Sequence, residues 1–174
     1  MYNDFPSPRK CIQILEKEGC SERVIQHCKA VRDLAVKIAE KAGADIQLVE
    51  VGSLLHDLGR CKTHGIDHAV EGARIARKLG LPDKVVNIIE RHIGAGLTPE
   101  VAKKLGLPER DYTPRTLEEK IVCHADNLID DTKRQNIEIE VKRALRNGYQ
   151  EYAQRLIKLH EELSEICGVD LDKI

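Results

Sequence analysis

The sequence predicts an all-α fold of seven to nine helices. Apolar residues recur at helical spacing through nearly every segment, and glycines stand where those segments stop. No stretch of useful length alternates between apolar and polar residues, and we find no β-hairpin signal. A composition of 41% hydrophobic and 33% charged residues suits a soluble helical protein.

Capping residues and glycine stops define the first three helices. A serine followed by proline opens the first helix, and Ser21 and Asp45 are preferred N-cap residues for the next two. We expect Gly59 to end the third helix in a left-handed conformation, just after His56-Asp57. The predicted bounds are 8–19, 21–43 and 45–57.

Proline and capping-box signals place the later helices. Leu81-Pro82-Asp83 and Thr98-Pro99-Glu100 each open a helix, and Thr116 and Glu119 have the spacing of a capping box. The last helical segment is expected to break or strain at Asn147-Gly148. The predicted bounds are 67–79, 82–92, 98–105, 116–131 and 137–167.

A length of 174 residues suits one domain with a sizeable core. We predict a single domain over residues 1–174. Its core, at about 21–131, would carry the functional residues, and residues 132–174 would form a C-terminal helical extension packed on that core. The extension carries an apolar stripe that we expect to dock there, made of Tyr149, Tyr152, Leu156, Leu159 and Leu163.

Composition argues against several classes of function. The net charge of -1 provides no basic field for a nucleic-acid polymer, and five aromatic residues leave little for base stacking. No apolar run approaches the roughly 20 residues that span a bilayer. Residues 1–6 lack the features of a signal peptide, and the six cysteines form no Cys-x-x-Cys pair. We therefore expect a cytoplasmic protein with reduced thiols and no membrane partner.

Several ionisable residues lie where the helical pattern predicts burial. Left without partners, each would cost several kcal/mol, unless it were an ordinary hydrogen-bonded core residue. A divalent cation is a common partner that uses neutral imidazole and neutralises carboxylates. A histidine and aspartate set without cysteine favours a transition metal over calcium and leaves room for water. The residues are His27, His56, His68, His92 and Asp126.

The pattern His27…His56-Asp57…Asp126, in the context Leu-Leu-His-Asp-Leu-Gly, matches a known signature. It resembles the H…HD…D signature of the HD-domain metal-dependent phosphohydrolases, and the resemblance covers about residues 21–131. It implies an all-α, HD-type helical bundle. It also implies that these four residues hold a first metal ion.

His68 and His92 resemble the additional histidines of binuclear HD branches. Those branches include the HD-GYP cyclic-dinucleotide phosphodiesterases and the HD-type diadenosine tetraphosphate hydrolases. The resemblance implies that Asp57 bridges two metals and that His68 and His92 bind the second. The sequence departs from HD-GYP proteins in having Arg60 where they have lysine and in lacking Gly-Tyr-Pro, which argues against cyclic-dinucleotide specificity. It is most similar to small, stand-alone prokaryotic HD hydrolases.

The expected function is that of a metal-dependent phosphohydrolase that uses metal-activated water on a nucleotide or another small phosphate compound. The cofactor would be a divalent metal: Mn, Fe, Co, Ni, Zn or Mg. Asp57, Arg60 and Lys62 are the candidate catalytic residues. Arg60 offers a planar, permanently charged fork suited to phosphate, and Lys62 is a second cation in the same loop, although both could be ordinary solvated charges.

Two other functional classes fit the same residues. A di-iron HD site can activate dioxygen, as in inositol oxygenase, which would make the protein an oxygenase. A regulatory module could keep the metal site and bind a nucleotide without turnover. The sequence also leaves a homodimer open.

Overall fold

The computed structural model describes residues 5–174 and confirms the all-α prediction. A small antiparallel pair of strands, β1 (Ile129–Asp130) and β2 (Lys133–Arg134), is its only sheet within that range. Residues 1–4, part of the segment used above to argue against a signal peptide, lie outside the described residues. The helices within 5–174 are α1 (Pro8–Glu18), α2 (Glu22–Ala42), α3 (Ile46–Leu55), α4 (His68–Lys78), α5 (Asp83–Glu90), α6 (Pro99–Lys104), α7 (Leu117–Asn127), α8 (Ile137–Arg146) and α9 (Gln150–Cys167).

Helices α2, α3, α5 and α7 pack on one another around the main core. Helix α1 covers α3, α4 lies against α5, and α9 packs on both α2 and α7. The largest side chains in this core are fully buried aliphatic residues, so hydrophobic burial holds the helices together. They include Leu15, Ile38, Leu54, Leu55, Ile88, Ile121, Leu156 and Leu163.

Five of the predicted helix starts are confirmed by side-chain caps. The capping oxygen accepts a hydrogen bond from the backbone amide three residues later, which satisfies a donor that the helix leaves free. The break at Asn147-Gly148 is also confirmed, since α8 ends at Arg146 and α9 begins at Gln150. The capping residues are Ser7, Ser21, Asp45, Thr98 and Thr116.

The region after α7 differs from the prediction. The helix ends at Asn127, four residues earlier than expected, and the short hairpin of β1 and β2 follows it. Gln135 and Arg134 turn back and donate to the free carbonyls of Asn127 and Leu128, which takes the place of another helical turn. The prediction of no hairpin was therefore wrong, and residues 128–131, expected in the helix, lie outside it.

The left-handed conformation predicted for Gly59 was wrong. Gly59 belongs to a 3₁₀ turn, Leu58–Cys61, and is not among the glycines with positive φ. Glycine is required there by close packing, because a Cβ would overlap the carbonyl oxygen of His68 and lie 2.6 Å from the amide nitrogen of Gly72. The turn after His56-Asp57 therefore rests directly on the backbone of α4.

The C-terminal extension docks on the core mainly through α9. Leu156, Leu159 and Leu163 are buried as expected and Tyr152 is partly buried, whereas Tyr149 is 62% exposed. Among residues 5–174, no helix combines the length and apolar character needed to cross a bilayer.

Gly59→Ala should destabilise the protein, because the added methyl group meets backbone atoms that cannot rotate away. We expect a loss of about 1–3 kcal/mol in the free energy of unfolding, measured by urea denaturation. Gly65→Ala is the control, because Gly65 also lacks a positive φ and an added Cβ there would meet only side-chain atoms of Asp67 and Thr63. If Gly59→Ala costs no more than that control, the close approach to α4 is not tight.

Candidate metal centre

The structure brings all six predicted metal ligands into one cluster. They come from the interior of α2, the end of α3, the start of α4, the loop after α5 and the end of α7. Within three overlapping groups, the ligand atoms lie within 4.8 Å of one another. The groups are His27, His56 and Asp57; His56, His92 and Asp126; and Asp57, His68 and His92.

Each histidine of the cluster directs its Nδ1 to a backbone carbonyl. A carbonyl oxygen can only accept, so each Nδ1 must carry the hydrogen and donate it. In the neutral ring this leaves a lone pair on Nε2. The donor–acceptor distances are 2.6 Å from His27 to Asp131, 2.7 Å from His56 to Ser53, 2.8 Å from His68 to Gly65 and 2.6 Å from His92 to Ile89.

The Nε2 atoms face one another and the two carboxylates. Nε2 of His68 lies 3.0 Å from Nε2 of His92, and Nε2 of His27 lies 2.9 Å from Oδ1 of Asp126. Nε2 of His56 is buried without a hydrogen-bond partner. With neutral rings these are contacts between acceptors. They are favourable only when a proton or a cation lies between the atoms.

Asp57 directs its two oxygens to different members of the cluster. Oδ2 lies 3.7 Å from Nε2 of both His27 and His56, while Oδ1 lies 3.3 Å from Nε2 of both His68 and His92. The residue is only 6% exposed. A single carboxylate is therefore placed to interact with two neighbouring centres of positive charge.

The cluster shifts the pKa values of its own members. Burial is the largest influence on the pKa of His56 and lowers it, but Asp57, Cys28 and Asp126 together outweigh burial and hold that pKa well above the usual value. Burial raises the pKa of Asp57 and Asp126, yet the neighbouring histidines, led by His56, hold both well below their usual range. For His92, burial dominates and lowers the pKa. The site therefore strongly favours the ionised form of Asp57 and Asp126, with positive charge beside both carboxylates.

This donor set fits a divalent transition metal. Neutral imidazole nitrogens fixed by Nδ1–H donation to carbonyls, together with carboxylates, are typical metal ligands with their supporting hydrogen bonds. The cluster is reached from the side of His27 and Asp126, whose side chains are 16% and 24% exposed, while His56 is fully buried.

Of the two predicted cations, Arg60 reaches the cluster at Asp57. Nε of Arg60 is 3.6 Å from Oδ1 of Asp57, and its Nη1 donates to the carbonyl of His64 at 2.8 Å. Lys62 is exposed in the same turn. Arg91, next to His92, pairs through Nη1 with both carboxylate oxygens of Glu119 at 2.9 Å. That pair ties α7 to the end of α5.

Sequence reasoning missed two polar features near the cluster. Nothing in the sequence indicates that the Asp131 carbonyl accepts a hydrogen bond from His27. His124 and His160 lie in charged helices without a motif around them, yet both are buried, and Nε2 of His124 lies 2.8 Å from Nδ1 of His160. Helical spacing could have found them, since His124 follows Ile121 by three residues and His160 follows Leu156 by four.

The comparisons with known proteins identify the family. The HD domain family matches residues 24–130, and this chain belongs to it. A tRNA (cytidine(56)-2'-O)-methyltransferase of Thermoplasma volcanium is 48% identical over 170 residues, 98% of this chain and 50% of that protein. Ribonuclease Y of Acidothermus cellulolyticus is 30% identical over 151 residues, 86% of this chain and 26% of that protein.

A solved structure shares the fold. The HD domain of the L. monocytogenes phosphodiesterase PgpH, in complex with cyclic-di-AMP, has a TM-score of 0.56 and 17% identity over 90% of this chain and 96% of that one. At that identity the similarity shows the fold alone. This chain spans about half the length of the methyltransferases that it matches.

The His124 ring should stay neutral in moderately acidic solution. Burial, helped by the neighbouring His160 and Arg134, lowers its pKa to about 3. Because the unfolded ring titrates near 6.5, the unfolded state binds more protons as the pH falls, and the free energy of unfolding should fall with it. His124→Gln should reduce that slope between about pH 6 and pH 4. An NMR titration in which His124 protonates near its unperturbed pKa would contradict this.

Proposed function

We propose that this chain is a metal-dependent phosphohydrolase that cleaves a phosphate ester or anhydride of a nucleotide or a similar small molecule. The family and the cluster both support a hydrolase of this kind. The identity of the substrate and the number of metals are proposals that rest on the residues discussed below.

The observation that supports the proposal best is the set of facing acceptor atoms. All four histidines have the same tautomer, fixed from outside the cluster, so their lone pairs point inward. A chain that needed these residues only for packing would pair each acceptor with a donor. Here the shared requirement is positive charge, which divalent cations supply.

We assign the ligands from the distances to Asp57. His27, His56, Asp126 and Oδ2 of Asp57 would hold one cation, and His68, His92 and Oδ1 of Asp57 would hold a second. When bound, the cations polarise a phosphoryl oxygen and lower the pKa of a water molecule to roughly 7. The partly exposed edge at His27 and Asp126 admits the substrate.

Arg60 would bind the phosphate. Its contact with Asp57 places the guanidinium beside the shared carboxylate, and its contact with the His64 carbonyl limits its movement. A phosphoryl group gains negative charge on its outer oxygens during transfer, and a planar guanidinium can donate two parallel hydrogen bonds to them. Lys62, in the same exposed turn, would add a second, more mobile positive charge.

The relatives widen the range of substrates to test. Ribonuclease Y and a phosphodiesterase in complex with cyclic-di-AMP are both named for phosphodiester chemistry, whereas another relative is named a tRNA methyltransferase. The low net charge favours a small substrate over a polymer. Methyl transfer would not require this cluster of metal ligands, whereas metal-dependent hydrolysis would. Hydrolysis therefore explains the cluster better. A phosphate-release screen should therefore include nucleotides, dinucleoside polyphosphates, cyclic dinucleotides and a short RNA.

Metal analysis tests the ligand assignment. The purified protein should bind two equivalents of Mn²⁺ or Co²⁺, and His68→Ala should reduce the second equivalent selectively, because a three-ligand site loses one ligand. Asp57→Asn should weaken both. His64→Ala is the matched control, because His64 is an exposed loop histidine outside the ligand groups.

Full metal content and full turnover in an Asp126→Ala variant would contradict the first site. Oxygen consumption with a polyol, together with a mixed-valence iron signal and no phosphate release, would favour the di-iron oxygenase instead. Tight nucleotide binding with no turnover of any substrate in the screen would favour a regulatory module.

Arg60→Ala should lower the turnover rate and leave metal content intact. Losing one charge-assisted hydrogen bond in the transition state costs about 2 kcal/mol, or about 30-fold in rate. Arg60→Lys should recover only part, because an ammonium cannot present two parallel donors. Arg74→Ala, a 72% exposed arginine on α4, is the control. Unchanged kinetics in Arg60→Ala would show that Arg60 is a solvated loop residue without a role in turnover.

A further inference from the structure

His27 differs from the other three histidines of the cluster in how its ring is held. The other three each donate Nδ1–H to the carbonyl three residues before them, because they lie at helix ends or in the loop beyond. His27 lies inside α2, where the nearby carbonyls already accept helical hydrogen bonds. Its acceptor is the carbonyl of Asp131, 104 residues away in sequence.

Asp131 has an unusual backbone conformation. It is the non-glycine residue with positive φ among residues 5–174, with φ 58, and it stands at the turn between β1 and β2. Aspartate is one of the few residues that tolerate the left-handed region, because its short polar side chain can hydrogen-bond locally. The direction of a carbonyl depends on the dihedral angles of its own residue, so this conformation aims the carbonyl at His27.

The side chain of Asp131 ties the same turn to α2 a second time. Its Oδ1 accepts from Nε of Arg23 at 2.9 Å, and Arg23 lies one helical turn before His27. Arg23 is 81% exposed, so this ion pair contributes little to stability. The backbone contact bears more directly on the metal centre, because it holds Nδ1 of His27 and leaves Nε2 facing Asp126.

We propose that Asp131 is a positioning residue for the metal centre: its left-handed backbone aims its carbonyl at Nδ1 of His27 and thereby directs Nε2 into the first metal site. The hairpin after α7 thus provides the carbonyl acceptor for His27, whereas each of the other histidines uses a carbonyl three residues before it. This inference rests on the proposed metal site and adds a residue that neither packs in the core nor binds metal.

Substitutions that differ in their tolerance of positive φ separate the backbone from the side chain. Asp131→Gly and Asp131→Asn keep the left-handed conformation but remove the carboxylate. Asp131→Val also removes the carboxylate, and the branched side chain of valine strongly disfavours positive φ. Arg23→Ala breaks the ion pair and leaves the carbonyl in place.

The measurement is the affinity for Co²⁺ or Mn²⁺ in the full chain, by competition with a chelator. Asp131→Val should weaken the first site by about 10- to 100-fold, the range seen when a supporting hydrogen bond to a metal-binding histidine is removed. Asp131→Gly, Asp131→Asn and Arg23→Ala should stay close to the wild type. In the Zn²⁺-loaded protein, ¹⁵N shifts of the His27 ring should report metal on Nε2 and hydrogen on Nδ1 in all variants except Asp131→Val.

Each other outcome overturns a defined part of the argument. Wild-type affinity in Asp131→Val overturns the role of Asp131 but leaves the proposed function standing. An equal loss of affinity in Asp131→Gly and Asp131→Val shows that the carboxylate, not the backbone, is responsible, and it also overturns the inference. Failure of the wild type to bind metal overturns the proposed function itself. If Asp131→Val does not fold, Asp131→Ala replaces it, and equal affinities in Asp131→Ala and Asp131→Gly overturn the inference.

Discussion

The arrangement of the helices depends on one electrostatic constraint: acceptor atoms from five segments are turned toward one another in a buried space. Four imidazole nitrogens and two carboxylates lie at distances such as 2.9 Å and 3.0 Å, which are unfavourable without positive charge between them. Repulsion between these groups would separate the helices that carry them. The hydrophobic core instead holds α2, α3, α5 and α7 closely enough to keep the groups together.

Small residues and one buried ion pair allow this convergence. Gly52 on α3 lets Ile88 of α5 approach so closely that a Cβ there would lie 2.6 Å from its Cδ1. Gly59 does the same between the turn after Asp57 and α4. The Arg91–Glu119 pair fixes the segment that leads into His92. Each contact lies within a few residues of a proposed ligand, so the geometry of the cluster follows from how closely the backbones approach.

The fold and most of the cluster could be predicted because their signals are local. Helix caps, apolar spacing and histidines on apolar faces are all read within one or two turns of sequence. Three of the four ring orientations are equally local, since the carbonyl lies three residues back. The role of Asp131 could not be predicted, because it depends on where a two-residue turn meets α2, more than 100 residues away. The role of Gly59 was missed for the same reason, since its constraint is a contact with α4 and not its own φ.

A second cluster shows why proximity alone does not define a metal site. His160, Asp170 and Asp172 also bring ligand atoms within 4.8 Å of one another. Here, however, donors and acceptors alternate: Nε2 of His124 can donate to Nδ1 of His160, and Nε2 of His160 to Oδ1 of Asp170 at 2.9 Å. The Asp170 oxygen also accepts from the amide of Asp172.

Every atom in that chain of hydrogen bonds has a partner, so neutral rings suffice and no cation is required. The chain joins α7 to α9 and to the turn beyond it, which is a structural role. The cluster around Asp57 contains the same residue types. There, however, each histidine donates its Nδ1 hydrogen to a backbone carbonyl, so its Nε2 has no hydrogen to donate to the cluster when the ring is neutral. The direction of the hydrogen bonds, more than the identity or spacing of the residues, is what distinguishes a site that needs a metal from one that does not.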